Sequence, residues 1–357
     1  MVNHRNNNPG RARRSHLGGK LALAGLTAAA AAVWAIKPRS FSDRQRNFVP
    51  SIPDVWYAHR GLHDAGSGLT PEYAAGSGEY VALARRSALK AGYGTADFAG
   101  SIAPENSLAA FAAACEAGYG IELDLQLTKD GHVVVVHDED LLRVAGDPRK
   151  VADLTYDELT RIPLFPAPAK PGDAEAAPLA DPVAASAKTP TGYYQHVPLF
   201  SDVLRVVAGR APLIVEYKFA DNVSWTDRDT ELMEKGDQLL QAYSGPYVIE
   251  SFHPGAVNWY KEHRPEVCRG QLAESATPGK AGAGMKEWLA GLLVFNWMSR
   301  PDFVAYDWHG GPLPQMRATR WMGAVPVSWT VRSRDELDEC RDFFDYHIFE
   351  AFVPDEV

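Results

Sequence analysis

This sequence predicts an α/β fold built on a parallel sheet, with the strand count of a (β/α)8 barrel, and two observations carry that prediction. From Val55 to the C-terminus, short β-branched apolar runs alternate with helical stretches, the rhythm of repeated strand–helix units. Four of the runs also end on polar groups that a packed core would exclude, and barrels of this kind collect catalytic groups at the C-terminal ends of their strands.

The runs are, in order, VWYAH from Val55, IELDL from Ile121, HVVVVH from His132, PLIVEYK from Pro212, YVIES from Tyr247, VCRGQL from Val267, FVAYD from Phe303, VPVSWTV from Val325 and HIFEAF from His347. That is one more than a barrel needs. Thr128-Lys129-Asp130-Gly131 separates the second run from the third and is too short for the helical crossover that joins parallel neighbours. One of those two is therefore expected as an irregular or antiparallel extension.

Helices fill most of the gaps. Pro104-Glu105-Asn106-Ser107 supplies a cap, Leu108, Phe111 and Cys115 follow at helical spacing, and Gly118 is a stop. Further helices are expected over residues 155–161, 200–208, 228–243 and 333–344. Two stretches break the rhythm: residues 63–103, rich in Gly and Ala with a helical piece around Tyr80 to Lys90, and residues 165–195, dominated by Pro and Ala. Insertions of this length are usually lids or disordered segments.

The N-terminus differs in kind. Basic residues up to Lys20 precede a 16-residue uncharged run, Leu21 to Ile36, longer than a usual signal-peptide core and shorter than a comfortable span of roughly 20 residues. The run ends on Val33-Trp34-Ala35-Ile36-Lys37, bulkier than a cleavage site and suited to an interface. An uncleaved anchor is expected, with a cleaved signal peptide as the alternative. The lead-in charge places the main domain outside the cytoplasm. The expected organisation is a basic segment over 1–20, an anchor or signal peptide over 21–36, a linker over 37–54 and the barrel over 55–357.

Of 357 residues, 46% are hydrophobic and 23% charged, and the net charge is −9. This is ordinary globular composition with no basic footprint for nucleic acid. Three well-separated cysteines, Cys115, Cys268 and Cys340, have no metal-like spacing and read as free thiols.

The polar strand ends are His59-Arg60-Gly61 after the first run, Glu122 and Asp124 in the second, His137-Asp138 after the third, and Glu216 with Lys218 in the fourth. Side chains at i and i+2 of a strand share a face, so Glu122 and Asp124 converge. Three carboxylates make an oxygen-rich shell that suits a hard divalent cation, Mg²⁺ or Ca²⁺, better than zinc. Two histidines beside it suit proton transfer near neutral pH.

The pieces AHRG at Ala58, APENSLAAF at Ala103, IELDLQLTKDG at Ile121, VVHD at Val135, IVEYK at Ile214, ESF at Glu250 and WTV at Trp329 closely resemble the glycerophosphodiester phosphodiesterase family in order and in most spacings. The resemblance implies a TIM-like barrel that hydrolyses glycerophosphodiesters to glycerol 3-phosphate and an alcohol. It further implies a divalent cation on Glu122, Asp124 and Glu216, with His59 and His137 as the acid/base pair. Arg60 and Lys218 would contact the phosphate, and Glu105 and Asn106 would complete the hydrogen-bonding wall of the substrate site. Phe252 and Trp329 fall at strand ends beside that site, and Trp329 is expected against the choline or glycerol moiety.

Two departures stand out. The insertion over 63–103 divides the active-site rim, and its Pro71-Glu72 is a decoy for the PEN motif. The usual GxxTDxP ending is replaced by His347-Ile348-Phe349-Glu350-Ala351-Phe352. Alternative readings are a phospholipase D-like activity on lysophospholipids, favoured by the anchor, and a silent barrel that binds phosphodiester headgroups.

Overall fold

The structure, a computed structural model, describes residues 27, 29–43, 52–166, 193–220, 224–275 and 285–354. Eight parallel strands close into a barrel in the order β1 (Tyr57–Ala58), β2 (Gly120–Leu127), β6 (Leu213–Tyr217), β7 (Tyr247–Ser251), β8 (Arg269–Ala273), β9 (Phe303–Asp307), β10 (Val325–Val331) and β11 (Tyr346–Phe349). Closure falls to β1, only two residues long, which pairs with β11 on one side and β2 on the other. Gly120 makes room for that join, because a Cβ there would sit 2.7 Å from the Tyr57 ring.

All nine expected runs are strands. The extra one is β3 (Val133–Val135), which turns back antiparallel on β2 and pairs Leu125 with Val135. The four-residue turn permits nothing else. Beyond β3 lies a hairpin of β4 (Asp140–Leu141) and β5 (Asp147–Lys150), which the sequence reading did not anticipate. The hairpin and the following helical turns bury Val134, Val136, Leu141, Val151 and Leu159 in a small core of their own. That core fixes the segment carrying His137.

Strand parity sorts the rest. Leu213, Val215 and Tyr217 of β6 pack outward against helices, as do Ile121, Leu123 and Leu125 of β2. Ile214, Val248, Phe303, Val327 and Ile348 point inward and fill the lower barrel. On β2, β6 and β7, and just past the ends of β1 and β11, the next inward position up is polar: Glu122, Glu216, Glu250, His59 and Glu350.

The helix Leu108–Ala117 forms where expected, with Ser107 Oγ accepting from the Ala110 amide at 3.1 Å and Gly118 ending it at φ +82°. The other expected helices appear as Tyr156–Leu159, Phe200–Val207, Asp227–Gln241 and Arg334–Cys340. Helices Pro254–His263 and Pro314–Trp321 were not anticipated; each opens on a proline at its first position, where the missing N–H costs nothing.

The insertion over 63–103 is a folded layer. Its ends are pinned together, with Asp64 accepting from the Ile102 and Ala103 amides at 2.8 and 2.9 Å and from Arg85 at 2.7 Å. Its helix, Ala74–Lys90, starts earlier than expected and packs on Leu108–Ala117. Most of the second insertion, 167–192, lies outside the described residues.

Residues 21–26 and 28 of the expected anchor also lie outside the described residues, and among the described ones no helix is long and apolar enough to cross a membrane. Within the expected linker, a short helix Arg39–Asp43 docks on the barrel. Arg39 is ion-paired with buried Asp302 at 2.5 Å, next to the first residue of β9. Arg300 donates to the Trp34 carbonyl at 2.7 Å, and exposed Trp34 stacks on Trp297. These contacts lie at the N-terminal ends of the barrel strands, opposite the polar ends.

Candidate active site

The polar end of the barrel is built on a row of carboxylates. Asp124 of β2 is in register with Glu216 of β6, and Glu216 with Glu250 of β7, so the three stand on adjacent strands spaced by roughly 4.8 Å. Glu122 lies two residues below Asp124 on the same face. All four are 5% exposed or less. Oxygens of Glu122, Glu216 and Glu250 come within 4.8 Å of one another.

Asp124 is held from several sides. It accepts from Asn106 Nδ2 at 2.8 Å and lies 3.2 Å from Lys218 Nζ and 3.5 Å from Arg60 Nε. Lys218 also pairs with Glu216 at 2.8 Å. Arg60 and Asn106 take left-handed backbone, φ +57° and +55°, and the Asn106 amide donates to the Arg60 carbonyl at 2.9 Å. Two locked turns therefore aim both side chains at Asp124, the kind of local strain that collects at functional sites.

Electrostatics divides the row. Burial and the Asp124 charge push Glu122 well above the usual carboxylate range; burial and Glu216 do the same to Glu250. Burial raises Glu216 to about 7, against the pull of Lys218. Asp124 is buried too, yet Lys218, His137 and Arg60 hold it below the usual range. Four carboxylates thus face two fixed cations, Arg60 and Lys218, with hard oxygen donors only. Surplus charge and donor type fit a divalent cation of the Mg²⁺ or Ca²⁺ class.

Each histidine has a carboxylate behind it. His137 Nδ1 lies 2.7 Å from Asp138 Oδ1, and Asp138 accepts from Arg143 Nε at 2.7 Å. His59 Nδ1 is 3.0 Å from Glu350 Oε2, and His59 Nε2 is 3.9 Å from Glu122. Glu350 is fully buried and also meets His63 at 3.3 Å and Arg332 at 2.7 Å. Burial lowers His59 to about 4 despite Glu350, and lowers His137 despite Asp124. Glu350 itself is held far below the usual range, with His59 and Arg332 outweighing burial.

One cleft is lined by His59, Arg60, Glu122, His137, Glu216, Lys218 and Trp329, all expected from the sequence, together with Glu250, Phe252 and Arg332. No residue of the helical part of the first insertion lines it. Trp329 meets Phe252 edge-on at 5.5 Å. Of the other three expected residues, Asp124 stands level with Glu216 in the carboxylate row, and Glu105 and Asn106 stand one layer back. Glu105 accepts from Arg60 at 2.8 Å and from both Arg143 terminal nitrogens at 2.9 and 2.6 Å, and from the Ser67 amide at 2.6 Å. It braces Arg60.

Glu250 and Glu350 are the residues sequence reasoning passed over. The signal was parity: YVIES and HIFE each end an inward-facing alternation on a glutamate, as LIVEY does with Glu216.

The model of the glycerophosphoryl diester phosphodiesterase family matches residues 97–344. A glycerophosphodiester phosphodiesterase of Bacillus altitudinis is 30% identical over 167 residues, 46% of this chain and 59% of that protein. One of Caldanaerobacter subterraneus subsp. tengcongensis is 52% identical over 60 residues, 16% of this chain and 25% of that protein. The chain thus spans under two thirds of the length of these relatives. The solved structure of an Oleispira antarctica phosphodiesterase in complex with the product sn-glycerol-3-phosphate shares the fold, at TM-score 0.51 and 18% identity, the match covering 70% of this chain and 88% of that one.

Proposed function

The chain belongs to the glycerophosphoryl diester phosphodiesterase family, and on that premise we propose that it hydrolyses a glycerophosphodiester to glycerol 3-phosphate and an alcohol in the cleft between His59 and His137. The observation that carries this reading is the pair of histidines, each backed by a carboxylate, flanking a buried carboxylate row with surplus negative charge.

A divalent cation, Mg²⁺ or Ca²⁺, held by Glu122, Asp124 and Glu216 would neutralise phosphate charge and polarise a phosphoryl oxygen. The chain's own groups do the rest. Lys218 and Arg60, fixed by Glu216, Asp124 and Glu105, present positive charge to the phosphate. His59 is neutral near pH 7 because burial disfavours its cation, so it takes the proton from the nucleophile, water or the substrate's own glycerol hydroxyl. His137, with Asp138 at its Nδ1 to support the imidazolium, gives a proton to the leaving alkoxide. Trp329 and Phe252 form an aromatic wall for the glycerol or headgroup.

The N-terminal segment is read as a membrane anchor for an extracytoplasmic barrel, a reading supported by its basic lead-in and by exposed Trp34 and Trp297. It meets the barrel at the end opposite the cleft. The cleft of a protein anchored this way faces water, which favours soluble glycerophosphodiesters over lysophospholipids.

The test is replacement of each histidine with product analysis on glycerophosphocholine and a lysophospholipid. H59A and H137A are expected to lose on the order of 10²- to 10⁴-fold in kcat with unchanged thermal melting. Near-normal release of glycerol 3-phosphate by either variant contradicts the assignment.

A further inference from the structure

We propose that Glu250 is an additional carboxylate ligand of the divalent cation, completing a shell of four acidic side chains that suits Ca²⁺ better than Mg²⁺. The inference rests on the cation reading above and extends it to a residue outside the three ligands expected there.

Three observations carry it. The register places Glu250 beside Glu216 on the adjacent strand, at the level of Asp124 and on the inward face. Its oxygen lies in the same 4.8 Å group as oxygens of Glu122 and Glu216. It is 1% exposed, and among the described residues no donor reaches its Oε2. A buried carboxylate oxygen without a partner is rare in a folded protein; here it faces the site where cation charge is needed. Lys218 is already shared between Asp124 and Glu216, and Arg60 between Glu105 and Asp124, so among the described residues Glu250 is left with no ion pair to a lysine or arginine.

Donor number then bears on cation identity. Ca²⁺ accepts six to eight oxygens in flexible geometry, whereas Mg²⁺ keeps several waters and takes one or two carboxylates. Four carboxylates drawn from three strands satisfy the first pattern and crowd the second.

Cation binding to the full chain, measured without substrate by titration calorimetry with Ca²⁺ and Mg²⁺, tests this on wild type, E250Q, E250D, E122Q and E216Q. E250Q is expected to weaken Ca²⁺ by roughly tenfold or more and Mg²⁺ by less. E250D keeps the charge but withdraws it by one methylene, and is expected to weaken Ca²⁺ as well. In thermal melts, E250Q should unfold at a higher temperature than wild type when cation-free, because it relieves crowded charge, and gain less from added Ca²⁺. Wild-type Ca²⁺ affinity in E250Q alongside loss in E122Q and E216Q overturns the role of Glu250 and leaves the cation reading standing. Absence of binding by the wild type overturns both.

Discussion

Glu350 and Asp138 serve two different histidines in the same way: each puts a carboxylate at Nδ1 and leaves Nε2 for chemistry. They differ in surroundings. Asp138 is partly exposed, while Glu350 is enclosed by His59, His63 and Arg332. Glu350→Gln therefore has a readable consequence. The charged groups acting on His59 are Glu350 and Asp124, which favour its cation, and Arg60, which opposes it. Removing the Glu350 charge lowers a pKa already near 4, so the acidic limb of the pH profile of kcat/KM should move to lower pH. The rate should also fall, by on the order of 10²-fold, as the ring loses its orientation. A lower melting temperature with an unmoved acidic limb would mean that Glu350 only holds the fold. His59 and His137 were legible in the sequence because each follows an apolar run at its end, and Glu122 and Glu216 because each is a charge inside one. Glu350 was hidden because HIFEAF departs from the expected ending, although the inward alternation of Ile348 and Glu350 carried the same message.

Elements explain why those side chains converge. The register Asp124–Glu216–Glu250 is fixed by outward-facing Leu123, Val215 and Ile249, all fully buried; a slip of one residue would bury the glutamates among helices. The first strand and the helix Leu108–Ala117 are coupled at Gly61, whose φ is +81° and where a Cβ would come within 2.9 Å of the Ala110 backbone. Gly61→Ala should therefore destabilise the protein by more than about 1 kcal/mol, exceeding Ser107→Ala, which removes a helix cap worth about 1 kcal/mol. Chemical denaturation of both variants measures the order, and a reversed order would mean that the contact with Ala110 relaxes freely. The barrel strands and β3 were legible because β-branched runs bounded by turns are a local signal, whereas the hairpin of β4 and β5 carries no such run. The helices after β7 and β9 were not, since their apolar stripes are weak and the prolines that open them resemble loop signals.

At the scale of the whole molecule, the barrel has two ends with different tasks. Arg39, Arg300 and Trp34 tie the N-terminal segment to the strand starts, while the carboxylates, histidines and aromatic wall occupy the strand ends. The first insertion strengthens one side of the wall: His63 and Ser67 close on Glu350 and Glu105, and its helix thickens the barrel beside Leu108–Ala117. Composition marks this stretch as an insertion, but the burial of Tyr80, Ala84 and Ala88 depends on a partner helix, Leu108–Ala117, that lies beyond the insertion in sequence. The central claim concerns the barrel's polar end, and it is tested most directly by coupled detection of glycerol 3-phosphate from a panel of glycerophosphodiesters, with the enzyme stripped by chelator and then resupplied with Mg²⁺ or Ca²⁺. The account predicts that activity disappears on stripping and returns with the added cation, Ca²⁺ the more effective of the two. Full turnover in the stripped enzyme, or no release of glycerol 3-phosphate from any member of the panel with either cation, would contradict it.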